Sequence, residues 1–84
     1  MIKVRYIGML STNLEQDEEE VEWNEALSDV AALIDTICEG RAEVWSQSLH
    51  QKNLLISVNN SMVKANQLLS DGDEVMLLPP MSGG

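Results

Sequence analysis

Apolar and charged residues alternate from the first positions: Ile2, Val4 and Tyr6 lie on one side of a chain whose other side carries Lys3 and Arg5. Period two predicts a strand with one buried face. A polar connection, Ser11 to Gln16, separates it from a second alternating stretch around Glu19 to Trp23. There Val21 and Trp23 oppose Glu20 and Glu22, and the two stretches together predict a hairpin. The period then changes. Val30, Leu33, Ile34, Ile37 and Cys38 form the single apolar stripe of a helix laid on a sheet. Ser28 or Asp29 supplies its N-cap, and Gly40, free to take a positive φ, closes it near Glu39. Ala42, Trp45 and Leu49 predict a second, shorter helical segment.

The remainder returns to strands. Leu54 to Val58, the turn residues Asn59-Asn60, and Met62-Val63 read as a second hairpin. Asp71-Gly72-Asp73 is a further turn, and Glu74 to Leu78 is the apolar run of a central strand flanked on both edges. This order predicts an α+β chain of β-grasp type, a mixed sheet packed on one main helix, over residues 1–78. Residues 79–84 are expected to form a flexible, extended C-terminal tail.

At 84 residues the chain is one domain, near the smallest size at which a single core suffices, so a large active-site cleft of its own is not expected. Fourteen acidic against five basic residues leave a net charge of −9, which disfavours nucleic acid and anionic membrane surfaces and favours protein partners. Much of the excess is one block, Asp17 to Glu20 with Glu22 and Glu25, read first as a solvated strand edge or loop and second as a docking surface. A single cysteine excludes an internal disulfide and any multi-thiolate metal site, consistent with a reducing cytoplasm. No signal-peptide layout or membrane-spanning apolar run is present, so a cytoplasmic protein is expected.

The candidate chemistry lies in the tail, Pro79-Pro80-Met81-Ser82-Gly83-Gly84. Two prolines remove two backbone donors and fix φ, which ends the sheet ladder and sends the tail outward in an extended conformation. Gly83 and Gly84 have no side chains, so they fit a passage too narrow for any Cβ and present a bare carboxylate inside another protein. A carboxylate resists nucleophilic attack until its oxygen becomes a good leaving group. No phosphate-binding loop for ATP is present, so that activation is assigned to a separate enzyme, with no cofactor or metal bound here.

Asp71-Gly72-Asp73-Glu74-Val75, with Pro79 to Gly84 after it, resembles the closing signature of the molybdopterin synthase small subunits. Val58-Asn59-Asn60 is similar to that family's third-strand turn. The resemblance implies a ubiquitin-like sulfur carrier that is not an enzyme on its own. An E1-like enzyme would adenylate Gly84 with ATP, and a sulfur donor protein would convert it to a thiocarboxylate. Gly83 would thread the tail into the synthase large subunit, where sulfur passes to cyclic pyranopterin monophosphate to form molybdopterin. The family pattern is a heterotetramer of two small and two large subunits. An anionic pterin needs Lys and Arg around it, so the large subunit supplies the pocket. Partner contacts are assigned to Met76, Leu78, Pro79, Pro80, Met81 and Ser82. Two departures stand out: the connection Ser11 to Gln16 lacks the small helix that many relatives carry, and Met76, Leu77 and Leu78 stand where many place aromatics.

Other residues read as structural. Cys38 falls on the helix stripe and behaves as a small hydrophobe rather than a persulfide carrier. His50 has no companion at ligand spacing and is assigned to a surface loop. Trp23 and Trp45 are expected at the core edge, and Asp71, Asp73 and Glu74 in a turn rather than a cation site. Two alternatives remain open: sulfur donation to thiamine thiazole or a tRNA base, and a ubiquitin-like modifier that forms isopeptide bonds through the same glycine. A plain interaction domain without tail chemistry is the third.

Overall fold

The structure, a computed structural model, describes residues 1–80. Five strands, β1 (Ile2–Tyr6), β2 (Glu18–Val21), β3 (Leu55–Val58), β4 (Ser61–Val63) and β5 (Glu74–Leu78), form one mixed sheet in the order β2-β1-β5-β3-β4. Three helices, α1 (Met9–Leu14), α2 (Val30–Cys38) and α3 (Glu43–Leu49), complete the fold. β5 sits at the centre, parallel to β1 with Val4 opposite Val75, and antiparallel to β3 with Ile56 opposite Leu77. This is the β-grasp arrangement expected from the order of elements.

Alternation decides which face is buried. Ile2, Val4 and Tyr6 of β1 and Val75 and Leu77 of β5 point to the helical side and are essentially inaccessible. They meet Val30, Leu33, Ile34 and Ile37 of α2 in one cluster that also holds Leu10, Leu14, Leu27 and Leu49. Asp29 caps α2, its carboxylate accepting from the Ala32 N–H at 2.9 Å. Gly40, at φ 75°, turns the chain away after Glu39. Asn59 and Asn60 both take positive φ, 50° and 70°, in the tight turn between β3 and β4. Asn59 also ties that turn to the start of β5, accepting from the Glu74 N–H and donating to Asp73 Oδ1, both at 3.0 Å.

One element departs from the sequence reading. The connection Ser11 to Gln16, read from the sequence as lacking the small helix that many relatives carry, does contain one: Met9 to Leu14 is the helix α1. Leu10 and Leu14, four residues apart, bury against the core and Ser11, Thr12 and Asn13 fall between them. Reading the segment from Ser11 hid that spacing, because its first apolar member precedes the polar run. The readings of four side chains hold: Trp45 is buried, Trp23 and Cys38 pack partly buried against the core, and His50 is exposed at the end of α3.

The acidic block is only partly a solvated edge. Glu19 is held by both terminal nitrogens of Arg41, at 2.6 and 2.8 Å, and accepts from the Tyr6 hydroxyl at 2.6 Å. The Arg41 guanidinium lies 4.1 Å from the centre of the Trp45 ring, which meets Tyr6 edge-on at 5.5 Å. Strand β2, the loop after α2, and α3 are thereby fastened to one another. Hydrogen bonding to Arg41 draws the Glu19 carboxyl below its ordinary value, while burial and the adjacent Glu19 carboxylate push the Tyr6 phenol up.

A carboxyl with a lowered folded-state pKa stabilises fully above its unfolded value and loses that contribution as pH falls through the folded one. Replacing Arg41 by Met is therefore expected to cost about 1–2 kcal/mol at neutral pH. The gap between wild type and variant should narrow as pH drops below the ordinary glutamate value of 4.5, measured by urea unfolding across pH.

Candidate functional site

Strand β5 delivers the chain to the candidate site. Its last paired residue, Leu78, faces Leu55 of β3, and Pro79 and Pro80, half-buried, have no N–H with which to continue either ladder. On the other side the Ile7 N–H donates to the Leu77 carbonyl at 3.0 Å, so both flanks of β5 are hydrogen-bonded up to its end. Pro79 lies over Gly8, its Cγ 3.7 Å from where a Cβ would stand on that glycine. Gly8 has φ 60° and ψ −131°, a conformation open almost only to glycine, and it starts α1 directly after the first strand. The root of the tail is thus seated on the junction between β1 and α1.

Met76 and Leu78 alternate with the buried Val75 and Leu77, and so face away from the helices. Cross-strand register extends that face: Met76 is level with Ser57, which is level with Met62, and Leu78 is level with Leu55. Met62 is 62% exposed and Leu55 half-buried, giving an apolar patch on the uncovered side of the sheet beside the departing tail. The neighbouring strands carry charge on this side, with Lys3 paired to Glu18 at 3.2 Å and Arg5 to Glu74 at 3.8 Å. The structure therefore brings together Met76, Leu78, Pro79 and Pro80, at the end of one central strand. Met81, Ser82, Gly83 and Gly84, also nominated from the sequence, lie outside the described residues. Leu55 and Met62 were missed because their share in the face depends on strand register; the paired hairpin around Asn59-Asn60 was the available signal.

Cys38 is a poor nucleophile in this setting. Burial pushes its thiol pKa up, nearby Asp35 adds to this, and Arg41 only opposes it. Among the described residues no group of three or more His, Cys, Asp or Glu side chains is arranged to hold a metal ion.

Residues 4–84 match the profile of the ThiS family. The chain belongs to this family. Over 44 residues it is 39% identical to the molybdopterin synthase sulfur carrier subunit of Escherichia coli, an alignment that covers 52% of this chain and 54% of that one. The chain spans about half the length of the curated relatives it matches. Among solved structures, a candidate molybdopterin converting factor subunit 1 from Pyrococcus furiosus is 30% identical, with a TM-score of 0.73 over 95% of this chain and 97% of that one. The Helicobacter pylori molybdopterin-converting factor, solved as a complex of subunits 1 and 2, is similar at 26% identity and a TM-score of 0.64 over 99% and 97%. No helix among the described residues is long and apolar enough to cross a membrane.

For this ThiS-family chain, the glycine at the root of the tail gives a direct test. Gly8→Ala is expected to destabilise the fold by about 1–3 kcal/mol through backbone strain, since the added methyl itself meets Pro79 only at ordinary contact distance. Urea unfolding should show a lower midpoint with unchanged slope.

Proposed function

We propose that this chain is the sulfur carrier subunit of a molybdopterin synthase. The observation that carries the reading is the placement of Pro79-Pro80-Met81-Ser82-Gly83-Gly84 immediately after β5, a central strand hydrogen-bonded on both sides. Such a strand fixes the origin of the tail while the prolines prevent it from joining the sheet. The names of the Escherichia coli and Pyrococcus furiosus relatives support the pathway over the thiamine and tRNA alternatives.

In this mechanism a separate E1-like enzyme joins the Gly84 carboxylate to AMP from ATP, releasing pyrophosphate. The persulfide of a sulfur donor protein then attacks the acyl-adenylate and AMP leaves; a second thiol of that donor cleaves the acyl disulfide, becoming part of a disulfide itself and releasing the Gly84 thiocarboxylate. The sulfur anion is the nucleophile that attacks the pyranopterin in the large subunit, where the surrounding cations belong to that partner. This chain contributes no general acid or base; it contributes the side-chain-free Gly83-Gly84 pair and a docking face. Met76 and Leu78, with Leu55 and Met62 beside them, anchor the body against the large subunit while Pro79 to Gly84 enter it, an extended-tail form of recognition. The complex of subunits 1 and 2 from Helicobacter pylori supports a partner of that kind.

Incubation with the activating enzyme, ATP and a sulfur source should replace one terminal oxygen of Gly84 by sulfur, read from intact mass. Retention of the plain carboxylate would overturn the carrier reading, and covalent adducts on lysines of other proteins would favour a modifier. Met76→Glu is expected to leave the fold intact, because that side chain is half-exposed, and to weaken binding to the large subunit by about tenfold or more. Unchanged binding of this variant would remove the sheet face from the docking surface.

A further inference from the structure

On the helical side, opposite the face that carries Met76 and Leu78, lies a half-open cleft of about 350 Å³. It runs between α2, the end of α3 and the second hairpin. Its walls are apolar, formed by Ile34, Leu49, Leu54, Ile56 and Val63. Around the mouth stand His50, Lys52 and Lys64, with Asp35 the one acidic residue among its lining. The His50 ring is held in place on both sides, its Nε2 2.9 Å from Asp35 Oδ1 and its Nδ1 3.0 Å from Ser46 Oγ.

The distribution of cations singles out this cleft. The chain has five basic residues and fourteen acidic ones. Three of the five are neutralised: Lys3 by Glu18, Arg5 by Glu74 and Arg41 by Glu19. Among the described residues Lys52 and Lys64 form no ion pair, and both border the same cleft. An excess of carboxylates would ordinarily supply each lysine with a partner, so two free ammonium groups beside an apolar hollow form a local site for an anionic group attached to an apolar one. The overall charge of −9 repels extended polyanions and anionic lipid, which leaves a ligand with few charges.

Val63, in the cleft wall, is the last residue of β4, and β4 is the outermost strand on that side of the sheet. An extended segment laid along its free edge would gain main-chain hydrogen bonds and send alternate side chains toward the cleft. We propose that the cleft is a docking site for a short, extended segment of a partner protein, in which an apolar side chain fills the hollow and flanking carboxylates meet Lys52 and Lys64. The site is separate from the sheet face assigned above, so the chain is able to hold a second protein while its tail is engaged.

The test is an amide and side-chain NMR titration of the full chain with a synthetic hexapeptide of sequence glutamate-alanine-leucine-alanine-glutamate-alanine, which places two carboxylates on the same side as the leucine, alongside hexanoate as a small amphiphilic anion. The expected result is saturable shift changes at Ala31, His50, Lys52 and Val63 with the peptide, and none with a version carrying lysine for glutamate. Affinity should fall about tenfold in the Lys52→Glu/Lys64→Glu variant, whose altered positions are exposed and leave the core untouched. Ala65→Trp, which adds bulk to the cleft lining while keeping both lysines, should weaken binding by a similar factor. Shift changes with hexanoate but not with the peptide, changes confined to the Met76 face, or wild-type affinity in either variant would each overturn the proposal.

Discussion

The parallel pairing of the first strand with the last holds this molecule together. β1 and β5 lie side by side at the middle of the sheet, Val4 level with Val75, and their inward residues are fully buried. Without that pairing the two hairpins would be separate marginal pieces, β1 with β2 and β3 with β4. Once it forms, the five inward side chains Ile2, Val4, Tyr6, Val75 and Leu77 make a continuous floor beneath the helices. The outward apolar face and Pro79 at its end inherit their positions from the same strand, because alternation along β5 sends Met76 and Leu78 outward wherever Val75 and Leu77 are driven inward.

A second constraint closes the helical side. A small sheet with one main helix leaves the rims of its core thinly covered, and here the rim is sealed by a polar assembly in place of more hydrocarbon. Arg41 bonds Glu19 through two nitrogens while its flat face covers Trp45, and Tyr6 completes the arrangement through its hydroxyl. The acidic block therefore has a divided role, with Glu19 turned to structure and Glu20 and Glu22 left to solvent. The cation distribution follows from this: carboxylates already engage Arg41, Lys3 and Arg5, and the two lysines left over flank an apolar hollow.

Most of the architecture was legible in the residues because local and global preferences agree. The Val30 to Cys38 stripe, the Asp29 cap, the Asn59-Asn60 turn and the central character of Glu74 to Leu78 each have a short-range cause that the tertiary structure leaves intact. What escaped depends on juxtaposition. Helix α1 is too short to carry a clear period, and its stability comes from where Leu10 and Leu14 land. Glu19 and Arg41 are 22 positions apart, and nothing in either neighbourhood announces the pair. Leu55 and Met62 join the face of Met76 only through register. Among the candidate site residues, Met76, Leu78, Pro79 and Pro80 were nominated from the pattern of one strand and its ending, which is local information.

The arrangement of β1 and β5 also has a mechanical consequence. β1 runs beside β5 in the same direction, so a pull applied along the end of β5 loads the hydrogen bonds between them in shear. Bonds loaded in shear share the force and must yield together, whereas those of a strand peeled from an edge break one at a time. The domain would therefore resist a pull at that end as one unit, and forced unfolding would be governed by the rupture rate of this central pair.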